Sequence, residues 1–377
     1  MSKQTSKAKI VIISILFLLV GLAGGFVGMN FCMLPPTDDV VVDEKNEDYE
    51  ADIQTFGANL AIHFLELGNK YTGDCTYIKT PEADILIDCG SRASSIPVVT
   101  EYLNKYVTDG TLEFVIVTHA HRDHYAGFAT GKNTDSIFDL YECETIIDFA
   151  LTNQEDDATQ YSNYQRELAD EVKNGSKHYT ALECVEEKNG AKKSYSIGTD
   201  MSLQILDSHF YRNTASSENN YSVCTLLTYC THNFLFTGDL EGEGEKELVK
   251  LNNLPKVTMF KAGHHGSSTS TTTTLLDAID PDVICVCCCA GSSEYTDATE
   301  NQFPTQAFID RVANYTNNVY ITTMCVDYAN DKFTSFNGNI AFLVKQGEYK
   351  VTCSNNNTSL KDTTWLRETR VVPSKWQ

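Results

Sequence analysis

The stretch VTHAHRDHYAG, residues 117–127, contains three of the nine histidines of the chain and one aspartate, in the pattern His-x-His-x-Asp-His. It follows the apolar run TLEFVIV, whose β-branched and aromatic residues predict a buried strand. A loop at the end of such a strand can turn imidazole and carboxylate groups toward one point, and zinc prefers these ligands. We therefore predict that His119 and His121 bind one metal ion, and that Asp123 and His124 bind a second.

A purely structural interpretation competes with this one. Alternate side chains of a strand share one face, so residues 119, 121 and 123 could form a polar patch that binds nothing. The density of metal-ligand residue types in so short a segment favours metal binding.

Other segments that follow apolar strands offer the further ligands that a two-metal site requires. Asp239 follows NFLFTG, and a carboxylate there could bridge two cations about 3.5–4 Å apart; its alternative role is to cap a helix. His264 and His265 follow VTMFKAG. We expect His265 to bind metal and His264 to contact substrate, with a hydrogen-bonded loop pair as the alternative. Asp88, at the end of ILID, is predicted to orient a ligand imidazole through its far nitrogen.

The composition is that of an acidic globular protein. Hydrophobic residues make up 42% of the chain, charged residues 21%, and the net charge is −22. Such a charge disfavours broad, non-specific binding of nucleic acid, although bound divalent cations could still attract a phosphate group locally.

The chain has thirteen cysteines, an odd number, so at least one is unpaired unless it bridges two chains. The run ICVCCCAG contains four of them. We predict a buried strand there rather than a metal cluster, because neighbouring residues of a strand point to opposite faces.

The N-terminal region predicts a membrane anchor. Residues 1–9 carry three lysines and precede residues 10–34, which hold no formal charge and are long enough to cross a bilayer. The lysines predict that residues 1–9 stay in the cytoplasm and that the rest lies outside the cell membrane. A cleaved signal peptide, which would release a secreted protein, is the alternative, but its apolar core is usually ~7–15 residues long. Residues 35–57 are acidic and predict a flexible linker.

Residues 58–350 predict one α/β domain with two sheets, because short apolar runs alternate there with helical patterns. YSVCTLLTYCTHNFLFTGD has the pattern of a β-hairpin. KFTSFNGNIAFLVKQ is predicted to form another, since Asn-Gly is favoured in two-residue hairpin turns. Residues 351–377 are predicted to be a C-terminal extension.

The order of these strand ends resembles that of metallo-β-lactamase-fold hydrolases. In that family an aspartate, the His-x-His-x-Asp-His motif, a bridging aspartate and a histidine follow one another, as Asp88, residues 119–124, Asp239 and His264 or His265 do here. The resemblance covers the whole predicted domain. It implies a four-layer αββα sandwich that binds two divalent metal ions, with zinc expected and manganese as the alternative.

A finer resemblance is to the hydrolase domain of ComEC-type bacterial competence proteins. It rests on YTGDCTYI, LIDCGS, NNYSVCTLLTY, FLFTGDLEG and KAGHHGSSTS, and on FPTQAFIDRV and NGNIAFLV toward the C-terminus. Those domains are similar to nucleases, and related members hydrolyse other phosphodiesters. The chain departs from them in having one predicted membrane segment and none of the multi-span channel that DNA uptake requires.

The resemblance also points to one missing ligand. Most family members carry a histidine between the His cluster and the bridging aspartate, where it completes the first metal shell. The candidates here are His178, His209 and an asparagine of ENNYS, Asn219 or Asn220, and the resemblance favours the asparagine. Asp74, in the matching segment YTGDCTYI, is a further candidate outside the metal shell.

Together these features predict a membrane-anchored hydrolase that cleaves phosphodiester bonds in nucleic acid or in a cell-envelope component, using water activated between two cations. Asp123 would hold that water, and His264 would stabilise charge on phosphorus. Hydrolysis of a lactam, lactone or thioester is the first alternative. A di-iron oxidoreductase would prefer glutamate at the position of His121, and a non-catalytic surface-binding module would show a degenerate cluster.

Overall fold

The computed structural model describes residues 46–155 and 159–377. The predicted anchor, residues 10–34, and the tail before it lie outside the described residues. Within the described ranges, each helix is too short or too polar to cross a bilayer.

Sixteen strands form two eight-stranded sheets in the described part of the chain. Numbered along the chain, they are β1 (Leu60–Phe64), β2 (Thr76–Lys79), β3 (Asp84–Ile87), β4 (Thr111–Ile116), β5 (Glu142–Asp148), β6 (Lys177–Thr180), β7 (Ser194–Gly198), β8 (Met201–Ile205), β9 (Thr225–Tyr229), β10 (His232–Phe236), β11 (Met259–Lys261), β12 (Val283–Ala290), β13 (Val319–Asp327), β14 (Lys332–Ser335), β15 (Ile340–Lys345) and β16 (Glu348–Cys353).

The first sheet has the order β16-β15-β1-β2-β3-β4-β5-β6, and the second has the order β14-β13-β12-β11-β10-β9-β8-β7. Strands β3 to β6 run parallel to one another, as do β10 to β13. Strands β9 and β10 form an antiparallel pair, which confirms the first predicted hairpin.

The helices are α1 (Tyr49–Thr55), α2 (Ile96–Leu103), α3 (Arg122–Tyr125), α4 (Ile137–Leu140), α5 (Thr159–Asn174), α6 (Ala181–Glu186), α7 (Gly242–Leu251), α8 (Thr273–Ile279), α9 (Gln306–Val312) and α10 (Thr364–Thr369). Apolar residues of α7 to α10 share one core with the second sheet, among them Leu248, Leu275, Phe308 and Leu366. The predicted α/β architecture with two large sheets is therefore confirmed.

The two sheets pack face to face through side chains at alternate strand positions. Phe64 of β1 lies 6.5 Å, ring to ring, from Phe236 of β10, and Phe342 of β15 lies 5.8 Å from Phe234. Residues at the intervening strand positions point to the opposite face. Ala61 of β1 is one of them, and it packs in a small cluster with Tyr49 of α1.

Strand β12 contains the cysteine run, and all of its residues are buried. The prediction of a buried strand there is confirmed. The cysteines of the described ranges are free thiols, and most of them lie in the interior.

The second predicted hairpin is wrong. Strand β14 belongs to the second sheet and β15 to the first, so the Asn337–Gly338 turn carries the chain from one sheet to the other. The Asn337 carboxamide holds this crossing: its oxygen accepts from the amide of Ile321 at 2.8 Å, and its nitrogen donates to the carbonyl of Thr358 at 2.9 Å. These partners are distant in sequence, and a local turn pattern contains no information about them.

Both predicted domain boundaries also need correction. The supposed linker of residues 35–57 contains α1, where Asp52 forms an ion pair with Lys350 of β16 at 2.5 Å. The supposed extension of residues 351–377 includes the end of β16 and the buried Trp376, whose indole donates to the carbonyl of Thr316 at 3.1 Å. The described part of each segment packs on the domain, because Tyr49 of the first and Leu366 and Trp376 of the second bury apolar surface that would otherwise face water.

Candidate metal centre

The predicted site residues lie at the carboxyl ends of neighbouring strands. Asp88 follows β3 and His119 follows β4, and these strands are parallel. Asp239 follows β10, and the His264–His265 pair follows β11, again a parallel pair. Because the two sheets pack against each other, these four strand ends converge.

Backbone contacts hold the loops of the first sheet together at this edge. The amide of Asp74 donates to the carbonyl of Asp123 at 3.0 Å, and the amide of Cys89 donates to that of His124 at 2.7 Å. The chain at Gly90 passes so close to Asp123 that a Cβ would overlap the Asp123 carbonyl. A glycine is therefore required at position 90.

Three residues of the centre adopt left-handed backbone conformations that are unusual for residues with side chains. The φ angles are 59° for Asp88, 47° for His264 and 55° for His265. Each such residue costs of order 1–3 kcal/mol and persists only where surrounding structure enforces it. Other residues of the described chain, among them Glu187 and Asp200, also adopt this conformation, so it is not confined to the centre.

Three side-chain atoms lie close to one another: Nε2 of His124, Nε2 of His265 and Oδ2 of Asp239. Oδ2 of Asp123 approaches one of them, His265 Nε2, and we call these four atoms the four-donor position. His124 Nε2 lies 3.1 Å from Asp239 Oδ2 and 3.3 Å from His265 Nε2. His265 Nε2 lies 3.2 Å from Asp239 Oδ2 and 3.3 Å from Asp123 Oδ2.

The separations among the His124, His265 and Asp239 atoms match three corners of a tetrahedral metal site. Ligands about 2.0–2.1 Å from zinc lie about 3.3 Å from one another, and two imidazoles with two carboxylates are a donor set that zinc accepts. The arrangement therefore fits a divalent cation.

The far nitrogen of each imidazole at this position has a buried acceptor. His124 Nδ1 lies 2.8 Å from Asp88 Oδ2, and His265 Nδ1 lies 2.9 Å from the carbonyl oxygen of Cys287. When Nδ1 carries the hydrogen, the lone pair of Nε2 points to the centre, as metal binding requires. Asp88 thus lies on the side of His124 that faces away from the centre, and the amide of Thr118 donates to its other oxygen at 2.8 Å.

The remaining histidines of the motif form what we call the two-histidine position. His119 Nε2 and His121 Nδ1 lie 3.1 Å apart. His119 is fully buried, and its Nδ1 lies 3.1 Å from the hydroxyl of Thr118 and 3.4 Å from that of Ser222. Burial lowers the pKa of His119 well below its usual value, and the charge of His124 adds to this effect, so His119 is neutral.

The residues proposed to complete this second position have other partners. The Asn220 carboxamide oxygen accepts from the amide of Glu241, at the start of α7. His209 lies against Asn213 on the surface, and His178 pairs with Asp148 of β5. Asn220, His209 and His178 therefore have other partners, and the donor atoms shown together at the second position are those of His119 and His121.

The structure also shows the contacts of Asn219 and the relation of Asp239 to helix α7. The side-chain Nδ2 of Asn219 donates to Glu241 Oε1 at 3.2 Å, while the buried carboxamide oxygen of Asn219 has no hydrogen-bond partner. The capping role considered for Asp239 is wrong, because Glu241 is the N-cap residue of α7.

The buried carboxylates dominate the electrostatics of the centre. Burial would raise the pKa of Asp239, but the imidazoles of His124 and His265 hold it well below its usual value. Burial would likewise lower the pKa of His124 and of His265, but nearby carboxylates, Asp239 first, raise both well above the usual value. A bound cation would therefore displace protons from these two imidazoles.

Lys261 is a site residue that the sequence analysis missed. Its ammonium is buried and forms an ion pair with Asp74 Oδ2, and it lies 4.0 Å from Asp239 Oδ1. A signal was available: Lys261 is a lone charge in the apolar strand β11, three residues before His264. Burial would lower its pKa, but Asp74 raises that pKa above the usual value, so Lys261 is charged.

Tyr295 and Phe303 form an aromatic wall beside the centre, which was also missed. The Tyr295 hydroxyl donates to Asp123 Oδ2 at 3.2 Å, and its ring, 57% exposed, lies 5.5 Å from that of Phe303. The Phe303 ring in turn lies 5.7 Å from the ring of His264 and 5.9 Å from that of His265. The wall leads from solvent to the four-donor position.

One segment of the chain matches a known protein family in sequence. Residues 68–137 match the metallo-beta-lactamase superfamily. The matched segment contains Asp74, Asp88 and the whole His cluster, and it ends before Asp239 and the His264–His265 pair. Among curated proteins, none matches the chain in sequence.

Several solved structures of low identity resemble the chain in part. A metallo-beta-lactamase fold protein, YhfI from Bacillus subtilis, has a TM-score of 0.39 and 10% identity, over 71% of this chain and 96% of that one. A probable metal-dependent hydrolase from Staphylococcus aureus has a TM-score of 0.27 and 14% identity, over 48% and 73%. The di-iron β-hydroxylase CmlA from Streptomyces venezuelae has a TM-score of 0.34 and 10% identity, over 61% and 44%. At these levels, no conclusion about the activity of this chain follows from the three structures.

Proposed function

We propose that this protein is a metal-dependent hydrolase that cleaves phosphodiester bonds, held in the membrane by residues 10–34 with its domain outside the cytoplasm. The four-donor position is the observation that carries the hydrolytic part of the proposal. The ComEC-type segments support a phosphodiester substrate, either nucleic acid or an envelope component. The uncharged run of residues 10–34 supports the anchor.

The residues of the centre would hold two divalent ions, zinc or manganese. His124, His265, Asp123 and Asp239 would bind one, and His119 with His121 would bind the other. When bound, such ions polarise a phosphoryl oxygen and lower the pKa of water toward neutrality.

The side chains around these positions can orient the reactants. Asp123 is ionised, because the hydrogen bond and charge of His265 hold its pKa below the usual value against the effect of burial. It can therefore accept a hydrogen bond from the attacking water, next to the hydroxyl of Tyr295.

His264 is the histidine best placed to contact substrate. Its side chain is 21% exposed, and its Nε2 lies 3.9 Å from Asp239 Oδ2. Its Nδ1 lies 3.0 Å from the hydroxyl of Thr269, so Nε2 is oriented toward the centre. Burial lowers the pKa of His264, and the neutral ring can donate a hydrogen bond to a phosphoryl oxygen.

The proposal is tested with the full-length chain purified in mild detergent. Its hydrolysis of bis-p-nitrophenyl phosphate is compared with that of a chromogenic lactam, with zinc or manganese added and after chelation. We expect metal-dependent cleavage of the phosphodiester and none of the lactam. Cleavage of the lactam alone would assign the other substrate class, and a metal-loaded protein inactive on both would indicate a binding module.

A further inference from the structure

A second group of buried acceptors lies behind the four-donor position, on the Nδ1 side of the two imidazoles. Asp74 Oδ1 is 3.1 Å from His265 Nδ1, and Asp74 Oδ2 is 3.7 Å from His124 Nδ1. The side chain of Asp74 is only 4% exposed. Its carboxylate, that of Asp239 and the two imidazoles have donor atoms within 4.8 Å of one another, as in a metal-binding group.

Two carboxylate oxygens of this group lack hydrogen-bond partners. They are Asp74 Oδ1 and Asp239 Oδ1, and both are buried. His265 Nδ1 lies 2.9 Å from the carbonyl oxygen of Cys287 and 3.1 Å from Asp74 Oδ1, so the two oxygens compete for the one hydrogen that this nitrogen can carry. A buried anionic oxygen without a donor is costly unless a nearby cation compensates its charge.

The ammonium of Lys261 supplies that compensation. It pairs with Asp74 Oδ2 and lies 4.0 Å from Asp239 Oδ1, and its side chain is only 3% exposed. The ammonium of Lys261 therefore occupies the position that a metal cation between the Asp74 and Asp239 carboxylates would occupy. It brings one positive charge and offers no acceptor that could bind a metal.

We propose that Asp74 and Asp239 form a latent divalent-cation site, and that the ammonium of Lys261 occupies this site and keeps an additional metal ion out of the centre. The ligands offered are carboxylate oxygens, which suit manganese or magnesium better than softer cations. Lys261 would thus limit the number of metals that the centre holds and favour ions that bind imidazole. This inference depends on the placement of the residues and holds whether or not the protein cleaves phosphodiesters.

The substitution Lys261→Met tests the proposal. Methionine keeps most of the apolar stem and removes only the ammonium, so the position of Nζ becomes vacant while the packing of β11 is largely retained. Metal content is measured on the full-length chain after equilibration with Mn²⁺ and removal of free metal. We expect the variant to retain one more equivalent of Mn²⁺ than the wild type. We also expect its Tm to fall below that of the wild type in excess chelator and to recover when Mn²⁺ is added.

The double variant Asp74→Asn/Lys261→Met is the matched control, because it removes both the ammonium and the carboxylate with which it pairs. It should retain the same number of Mn²⁺ ions as the wild type, and its Tm should respond to Mn²⁺ as that of the wild type does. A folded Lys261→Met variant with an unchanged or lower metal content would overturn the proposal. A Lys261→Met variant that stays unfolded in the presence of Mn²⁺ would also overturn the proposal, because a metal ion would then be unable to replace the ammonium. This holds whether or not the double variant folds.

Discussion

The two halves of the candidate metal centre share residues of one short motif but differ in how completely they are built. At the four-donor position, residues from three strand ends converge, and the far nitrogen of each imidazole has a buried acceptor. At the two-histidine position, His119 and His121 come from a single loop. Asn220 and His209, two of the residues considered as further donors, have other partners. Metal affinity depends on the number of donors and on the groups that orient them, so the two halves should bind metal unequally.

The largest effect is expected from Asp123→Ala, which removes a donor of the four-donor position and the carboxylate predicted to orient water. We expect kcat/KM on bis-p-nitrophenyl phosphate to fall at least ~100-fold, the scale of losing a general base together with a ligand. Steady-state kinetics at saturating metal measure this. Equal activity in variant and wild type would contradict the assignment of the four-donor position as the reactive half.

Asp88→Asn should weaken metal binding without removing a donor. The substitution keeps the shape of the side chain but removes the charge that faces His124 Nδ1, and loss of such a partner typically costs ~10–100-fold in metal affinity. Zinc titration with a chelating competitor measures the change. Asp148→Asn is the matched control, because Asp148 pairs with His178 at the same 2.8 Å, outside the centre, and should leave the affinity unaltered.

His121→Ala should distinguish the two halves by metal count. The variant should lose the more weakly bound equivalent of zinc and keep the tightly bound one, as measured by elemental analysis after dialysis against a weak chelator. Substitution of the surface residue His209 should leave both equivalents in place. Loss of both equivalents from the His121 variant would show that the two positions bind metal as a single unit.

Tyr295→Phe should have the smallest effect. The exchange removes the hydrogen bond to Asp123 Oδ2 and keeps the aromatic wall, and one such bond to a charged group is worth about 1.5 kcal/mol, or ~10-fold in rate. We expect kcat/KM to fall by no more than this, with unchanged metal content. A fall as large as that of Asp123→Ala would mean that the hydroxyl takes part in the chemistry itself.

Local sequence patterns predicted the positions of the candidate site better than they predicted its contacts. The His cluster, Asp239 and the His pair were located because each follows an apolar run, and the carboxyl ends of parallel strands meet at one edge. Asp88, which also follows an apolar run, lies at the same edge beside His124 Nδ1. Asn220 was misjudged because its partner, the amide of Glu241, becomes a neighbour only when α7 packs beside the loop.

In the fold, too, local features were predicted from sequence and long-range contacts were not. The β9–β10 hairpin and the buried cysteine strand were predicted because alternation and burial are properties of a few consecutive residues. The Asn337–Gly338 turn was mistaken for a hairpin because the same dipeptide also suits a chain that changes sheets, and only the partners of Asn337 distinguish the two.

The sequence alone determined the α/β class, the candidate site residues at the strand ends and the acidic character of the chain, because spacing, hydropathy and charge are local quantities. Only the tertiary structure decided which imidazole nitrogens face the centre, that Lys261 stands behind them, and that the second metal position has few donors. These outcomes depend on angles and distances between loops that are far apart along the chain, and the packing of the two sheets sets them.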